Sequence, residues 1–156
     1  MKALSAVMLA IAGVASLPMM PAPVAAKPAA AAPLAIRATD PKLNWGPCPP
    51  IVKGSCQIAV LHGDPARPNA DVFLKIGGGA DLIPHLHTSA ERMILVSGRL
   101  RVQYKGAQPA VLAAGDYAYG PAGLPHTGTC LSRQSCTLFI AFEGPVDAEA
   151  LAVGQM

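Results

Sequence analysis

Gly79-Ala80-Asp81-Leu82-Ile83-Pro84-His85-Leu86-His87-Thr88-Ser89-Ala90-Glu91, closed after six further residues by Gly98, is the most patterned stretch of the chain. On a strand, His85 and His87 lie two residues apart and project from the same face, so their imidazoles converge on one point. A turn at Thr88 to Ala90 doubles the chain back, and Glu91 then opens the next strand with a carboxylate beside them. Gly98 marks a further tight turn, where a residue without a Cβ is favoured. A second stretch runs from Gly115 through five residues to Pro121-Ala122-Gly123-Leu124-Pro125-His126. Its Gly/Pro bend fixes the backbone just before His126 and presents that ring from a strand end.

Three neutral imidazoles and one carboxylate form a ligand set for one divalent transition-metal ion, bound through His85, His87, Glu91 and His126. Manganese or iron is the first expectation, with nickel, cobalt or zinc as alternatives; calcium prefers an all-oxygen shell. Taken one at a time, His85 and His87 are polar residues of an exposed strand, Glu91 a solvated turn residue and His126 a loop histidine. That account gives no reason for three of the four histidines to fall in these two stretches. The fourth, His62, sits in the turn-forming string Leu61-His62-Gly63-Asp64-Pro65 and reads as a loop residue.

With these spacings the chain resembles the cupin superfamily, whose motifs read G(x)5HxH(x)3–4E(x)6G and G(x)5PxG(x)2H(x)3N. The first is matched in full by Gly79, His85, His87, Glu91 and Gly98, and the second through His126. Cys130 stands where the second motif ends in Asn, a position that is not a metal ligand in the family. The resemblance spans Trp45 to Glu143. It implies an all-β, single-domain jelly-roll barrel, and a class of metal chemistry that includes dioxygenases, decarboxylases, isomerases and lyases. It also implies the possibility of a homodimer.

The rest of the chain has the rhythm of such a barrel: short apolar runs separated by Gly, Pro and Asp. Expected strands are Gln57 to Leu61, Asp71 to Ile76, Leu82 to His87, Arg92 to Ser97, Arg99 to Tyr104, Pro109 to Leu112, Asp116 to Tyr119, Thr127 to Thr129 and Thr137 to Glu143. Alternation in the fifth sends Leu100, Val102 and Tyr104 to one face and Arg99, Arg101 and Gln103 to the other. Trp45 to Pro50 reads as irregular, and Val146 to Val153, acidic near its start and followed by Gly154, as a short helix. By parity with the ligands, Ile83, Met93 and Leu95 are expected to line the interior near the metal.

Lys2 followed by an apolar run from Ala3 to Leu17 is the layout of a secretory signal peptide. Residues 1-26 are assigned to it, 27-44 to an Ala/Pro-rich linker and 45-156 to the barrel. Removing the leader takes one basic residue and no acidic one, leaving 11 Lys+Arg against 9 Asp+Glu, a charge of +2. No basic cluster or aromatic platform suits nucleic acid, and the cleaved product has no membrane segment. The expected location is periplasmic or secreted. The four cysteines then read as disulfides. Of three connectivities, Cys48 with Cys56 and Cys130 with Cys136 is favoured, because each closes a short loop of turn formers. The expected partner is a small-molecule ligand or substrate. The functional expectation is a dioxygenase-type oxidoreductase, against a non-catalytic binding or sensor barrel.

Overall fold

The computed structural model describes residues 32–152 and 154–156. The signal peptide expected over 1-26 lies outside the described residues, as does the first part of the linker. Ala32, Pro33 and Leu34 are exposed and carry no regular structure. Ala35–Met156 form one compact unit, which begins ten residues before the expected start at Trp45.

Twelve strands build this unit, and no helix occurs among the described residues. They are β1 (Gly46–Pro47), β2 (Val52–Lys53), β3 (Cys56–His62), β4 (Ala70–Ile76), β5 (Asp81–Leu86) and β6 (Glu91–Ser97). The remainder are β7 (Arg99–Tyr104), β8 (Ala110–Ala113), β9 (Tyr117–Gly120), β10 (His126–Cys130), β11 (Cys136–Phe142) and β12 (Glu149–Ala150). One antiparallel sheet has the order β1-β3-β4-β11-β6-β9; the other runs β12-β5-β10-β7-β8, with β2 also pairing β5. The inward faces of both sheets meet in one core that includes Val72, Ile76, Leu95, Leu100, Val102 and Leu138. Alternation is strict where the sequence suggests it: Leu100 and Val102 of β7 are buried, whereas Arg99, Arg101 and Gln103 are exposed.

The nine longer strands correspond to the nine expected. Three short ones do not. Gly46–Pro47 pairs with Gln57 and Ile58, where an irregular segment was expected. Val52–Lys53 pairs with Asp81 and Leu82. Over the expected helix Val146 to Val153, Glu149–Ala150 instead pairs with His85 and Leu86 of β5, while Val153 lies outside the described residues. An isolated helix of eight residues is weak in water. The edge of β5, by contrast, offers unpaired backbone groups that an extended segment satisfies. His62, expected in a loop, is the exposed last residue of β3.

Two disulfides join Cys48 to Cys56 and Cys130 to Cys136, and no described cysteine is free. Such bridges fit an oxidising, extracytoplasmic environment. Cys130 and Cys136 are fully buried, the second bridge tying the end of β10 to the start of β11. Replacing both with Ala is expected to cost about 2–3 kcal/mol, from the loop released in the unfolded chain. The corresponding fall in melting temperature is about 10 °C, read by calorimetry. An unchanged melting temperature would show that the bridge adds nothing.

Candidate metal centre

His85 lies on β5, His87 just beyond its end, Glu91 at the start of β6 and His126 at the start of β10. All four are buried, between 1% and 8% exposed. His126 stands opposite His85 in the β5–β10 register, which brings two expected ligands from separate motifs face to face. One ring nitrogen from each of His85, His87 and His126 lies within 4.8 Å of the others. Glu91 closes the group: its Oε1 is 3.3 Å from His126 Nε2 and its Oε2 is 3.5 Å from His87 Nε2.

The backbone sets the chemistry of these rings. His85 Nδ1–H donates to the carbonyl of Ile83 at 2.7 Å, and His126 Nδ1–H to that of Leu124 at 3.1 Å. His87 Nδ1–H donates to the carbonyl of Asp147. With each Nδ1 carrying the proton, each Nε2 is left as a lone pair; this is how a protein orients histidines for a metal. Burial keeps the rings neutral. His85 is lowered to about 3 by burial and then by the neighbouring His126. His126 is lowered to about 4, chiefly by burial, and His87 is lowered by burial as well. Burial pushes the Glu91 carboxyl the other way, up to about 8. The contacts of Glu91 with His87 and His126 are therefore not ion pairs at neutral pH. Glu91 Oε1 is buried without a hydrogen-bond partner, one of two such side-chain atoms among the described residues, the other being the Tyr104 hydroxyl.

Three imidazole lone pairs facing a buried carboxyl whose Oε1 has no hydrogen-bond partner make an arrangement that a cation completes once the carboxyl gives up its proton. On this ground the donor set fits a divalent transition metal.

Two residues without an obvious sequence signal shape the group. Gly120 of β9 is paired with Glu91, and a Cβ there would stand 2.8 Å from Glu91 Oε1 and 2.9 Å from its Cγ. The space a side chain would fill is occupied by the carboxylate. Gly120→Ala is expected to displace Glu91 and weaken metal uptake about 10- to 100-fold, as removal of supporting contacts does. Metal titration beside a melting curve checks this; unchanged uptake would remove Gly120 from the site. Asp147 is the second. Its carboxylate accepts from the Thr88 N–H at 3.0 Å and from the Thr88 hydroxyl, anchoring the segment whose carbonyl holds His87.

The four residues line a cavity of about 60 Å³, walled besides them mostly by apolar side chains including Ile58, Val72, Leu82, Val102, Ile140 and Phe142. Met93 is on this wall. Ile83 and Leu95, expected beside it, are not. Between Leu82 and His85, β5 uses three residues against two of β10, a bulge that accommodates Pro84 and reverses the parity, so Leu82 faces inward. Leu95 is fully buried but packs in the core, its backbone bonded to Gly115 and Asp116 rather than near the ligands.

The model of the ChrR cupin-like domain matches residues 35–147, which takes in the whole site. The chain belongs to this cupin family. No curated protein matches it. Among solved structures, this cupin resembles an acetylacetone dioxygenase from Acinetobacter johnsonii: TM-score 0.59, 18% identity, covering 81% of this chain and 83% of that one. It also resembles a predicted oxalate decarboxylase from Thermotoga maritima: TM-score 0.59, 16% identity, 71% and 99% covered. The crystal structures of the DMSP lyases RdDddP and RnDddQII give TM-score 0.56 and 23% identity over 62% of this chain, which spans about half (53%) of the matched chain. At these identities the likeness is one of fold.

Proposed function

We propose that this protein is an exported jelly-roll cupin, led out by residues 1-26, in which His85, His87, Glu91 and His126 hold one divalent transition-metal ion. We assign it to the dioxygenase-type oxidoreductases acting on a small oxygen-bearing molecule. The observation that carries this reading is the convergence of three neutral imidazoles and a carboxyl with an unpartnered oxygen on the wall of a mostly apolar cavity. Bound there, the ion supplies Lewis acidity and, if it is iron or manganese, electron exchange with dioxygen.

The protein's own residues do the rest. Ile83, Leu124 and Asp147 hold the three rings in one tautomer through their carbonyls. Glu91 contributes one negative charge when ionised, and the apolar wall keeps bulk water from the reacting end. Held by these four residues, an ion that prefers five or six ligands would have room for a small oxygen-bearing molecule beside them.

A second reading, a binding or sensor cupin without turnover, draws on the cavity lining. Beyond the ligand set, the only titratable group there among the described residues is Asp147, already engaged by Thr88. A metal-dependent isomerase, lyase or decarboxylase is a third, suggested by the family's range.

Elemental analysis of the leaderless protein, purified without a metal-binding tag, beside His87→Ala, tests the metal. Near-stoichiometric iron or manganese, absent from the variant, is the expected result. A site that stays empty when metal is added would end this proposal. Oxygen consumption by the loaded protein with enolisable acids and phenolics then separates the oxidoreductase from the other two readings.

A further inference from the structure

Glu91 Oε1 and the Tyr104 hydroxyl are the two buried side-chain atoms without a hydrogen-bond partner among the described residues. The first is an acceptor and the second carries a donor. Strand pairing brings them into one corner of the barrel. Tyr104 ends β7 and shares the inward parity of Leu100 and Val102. It stands opposite His126 in the β7–β10 register, and His126 stands opposite His85 on its other side. His85, His126 and Tyr104 therefore form one row across three neighbouring strands. The Tyr104 and His126 rings have their centroids 5.2 Å apart and their planes tilted by 40°. His126 Nε2 is in turn 3.3 Å from Glu91 Oε1. Burial first, then the nearby Glu91 carboxyl and Tyr117, push the phenol above its ordinary value, so Tyr104 and Glu91 feel one another although no bond joins them.

Binding an ion changes what Glu91 requires. A carboxylate that gives one oxygen to a metal keeps a second, and ligating carboxylates are held by hydrogen bonds from their surroundings. Glu91 is 2% exposed and cut off from bulk water, so its donor has to come from the protein. The three rings cannot serve. Each Nδ1–H is spent on the carbonyl of Ile83, Leu124 or Asp147, and each Nε2 is left as a lone pair. Among the described residues, the buried side-chain donor left over is the Tyr104 hydroxyl.

We propose that Tyr104 is a positioning residue of the metal centre, its hydroxyl donating a hydrogen bond to the Glu91 carboxylate when an ion is bound. This rests on the metal reading above and adds to the centre a residue that lies in neither of the two sequence stretches.

The test follows cobalt(II) binding by the leaderless protein, by Tyr104→Phe, by Glu91→Ala and by the double variant. Affinity is read from the visible spectrum in competition with a chelator, and the melting temperature is read on the metal-free forms. Tyr104→Phe removes one oxygen and keeps the ring. It is expected to bind cobalt about 10- to 100-fold more weakly, the loss that follows removal of a supporting hydrogen bond. Without metal it is expected to melt no lower than the wild type, since the hydroxyl has no partner to lose. In the Glu91→Ala background the same substitution is expected to leave cobalt affinity unchanged, because the acceptor is gone. Should Glu91→Ala hold no cobalt even in excess, Glu91→His, which restores a ligand without a carboxylate, takes its place.

If the wild type takes up no cobalt, the metal reading fails and this one falls with it. If cobalt is bound and Tyr104→Phe matches the wild type, the metal reading stands and Tyr104 has no part in the centre. An equal loss in both backgrounds would place the action of Tyr104 on His126 rather than on Glu91, and would overturn the proposal. So would a metal-free Tyr104→Phe that melts lower by about 4 °C or more, because the hydroxyl would then be spent within the fold.

Discussion

Glu91→Gln is expected to make the metal-free protein more stable at neutral pH by roughly 2–3 kcal/mol, while abolishing tight metal binding. Glu91 is 2% exposed, and its carboxyl is raised from 4.5 to about 8 in the folded chain. For a group whose folded pKa is raised, the stabilising contribution is complete below the unfolded value, here 4.5, and is lost as pH rises toward 8. At pH 7 the unfolded chain has released this proton and the folded chain has not. Keeping it costs about 3 kcal/mol, at 1.36 kcal/mol per unit. Gln removes that cost, and its amide can donate to the Nε2 of His87 or His126, both within reach of the present carboxylate. Calorimetry of the two metal-free proteins from pH 5 to 8.5 reads the difference. The wild type should lose stability between pH 6.5 and 8 and the variant should not. Below 6.5 both should weaken, because His85 and His126, lowered to about 3 and about 4, take up protons only on unfolding. A Gln variant less stable than wild type at pH 7.5 would mean that Glu91 is already compensated within the fold.

The sequence pattern carries the information for the fold and for this cluster unevenly. The nine longer strands were legible because period-two alternation and Gly/Pro punctuation repeat in each of them. The convergence of His85, His87, Glu91 and His126 was legible because two histidines, a carboxylate and a later histidine must sit at fixed offsets to meet. What escaped depends on pairing between distant segments. Counting by twos puts Ile83 with His85, but the extra residue of β5 opposite β10 turns Leu82 inward instead. Leu95 does share the inward parity of Glu91 and Met93, yet lies four residues along the strand from the carboxylate and reaches only the core. The segment around Asp147 carries acidic residues suited to a helix start. Only the open edge of β5 and the Thr88 donors draw it into an extended strap. Gly120 has no local signature: its lack of a side chain matters because Glu91, 29 positions earlier, is its partner across the sheet.

Metal uptake at pH 7 is expected to release close to one proton per ion, and the source is Glu91. A carboxylate must be ionised to bind a metal, and this one is still protonated below about 8. The imidazoles contribute little of the release, since burial already holds them neutral at that pH. Apparent affinity should therefore fall about tenfold for each pH unit from 8 down to 6.5, the ordinary histidine value. Below that the slope should steepen as the lowered imidazoles of His87, His126 and His85 take up protons and compete. Titration calorimetry in buffers of different ionisation enthalpy counts the protons directly. A release near zero at pH 7 would mean either that the ion binds without Glu91 or that Glu91 is ionised in the empty site. Glu91→Gln distinguishes these: if it binds metal with wild-type affinity, the carboxylate is no ligand. If its affinity collapses while the wild type still releases no proton, the carboxylate is a ligand already poised in its charged form. Observation of one proton in the wild type and none in the variant would tie the metal, the carboxylate and the stability cost to a single residue.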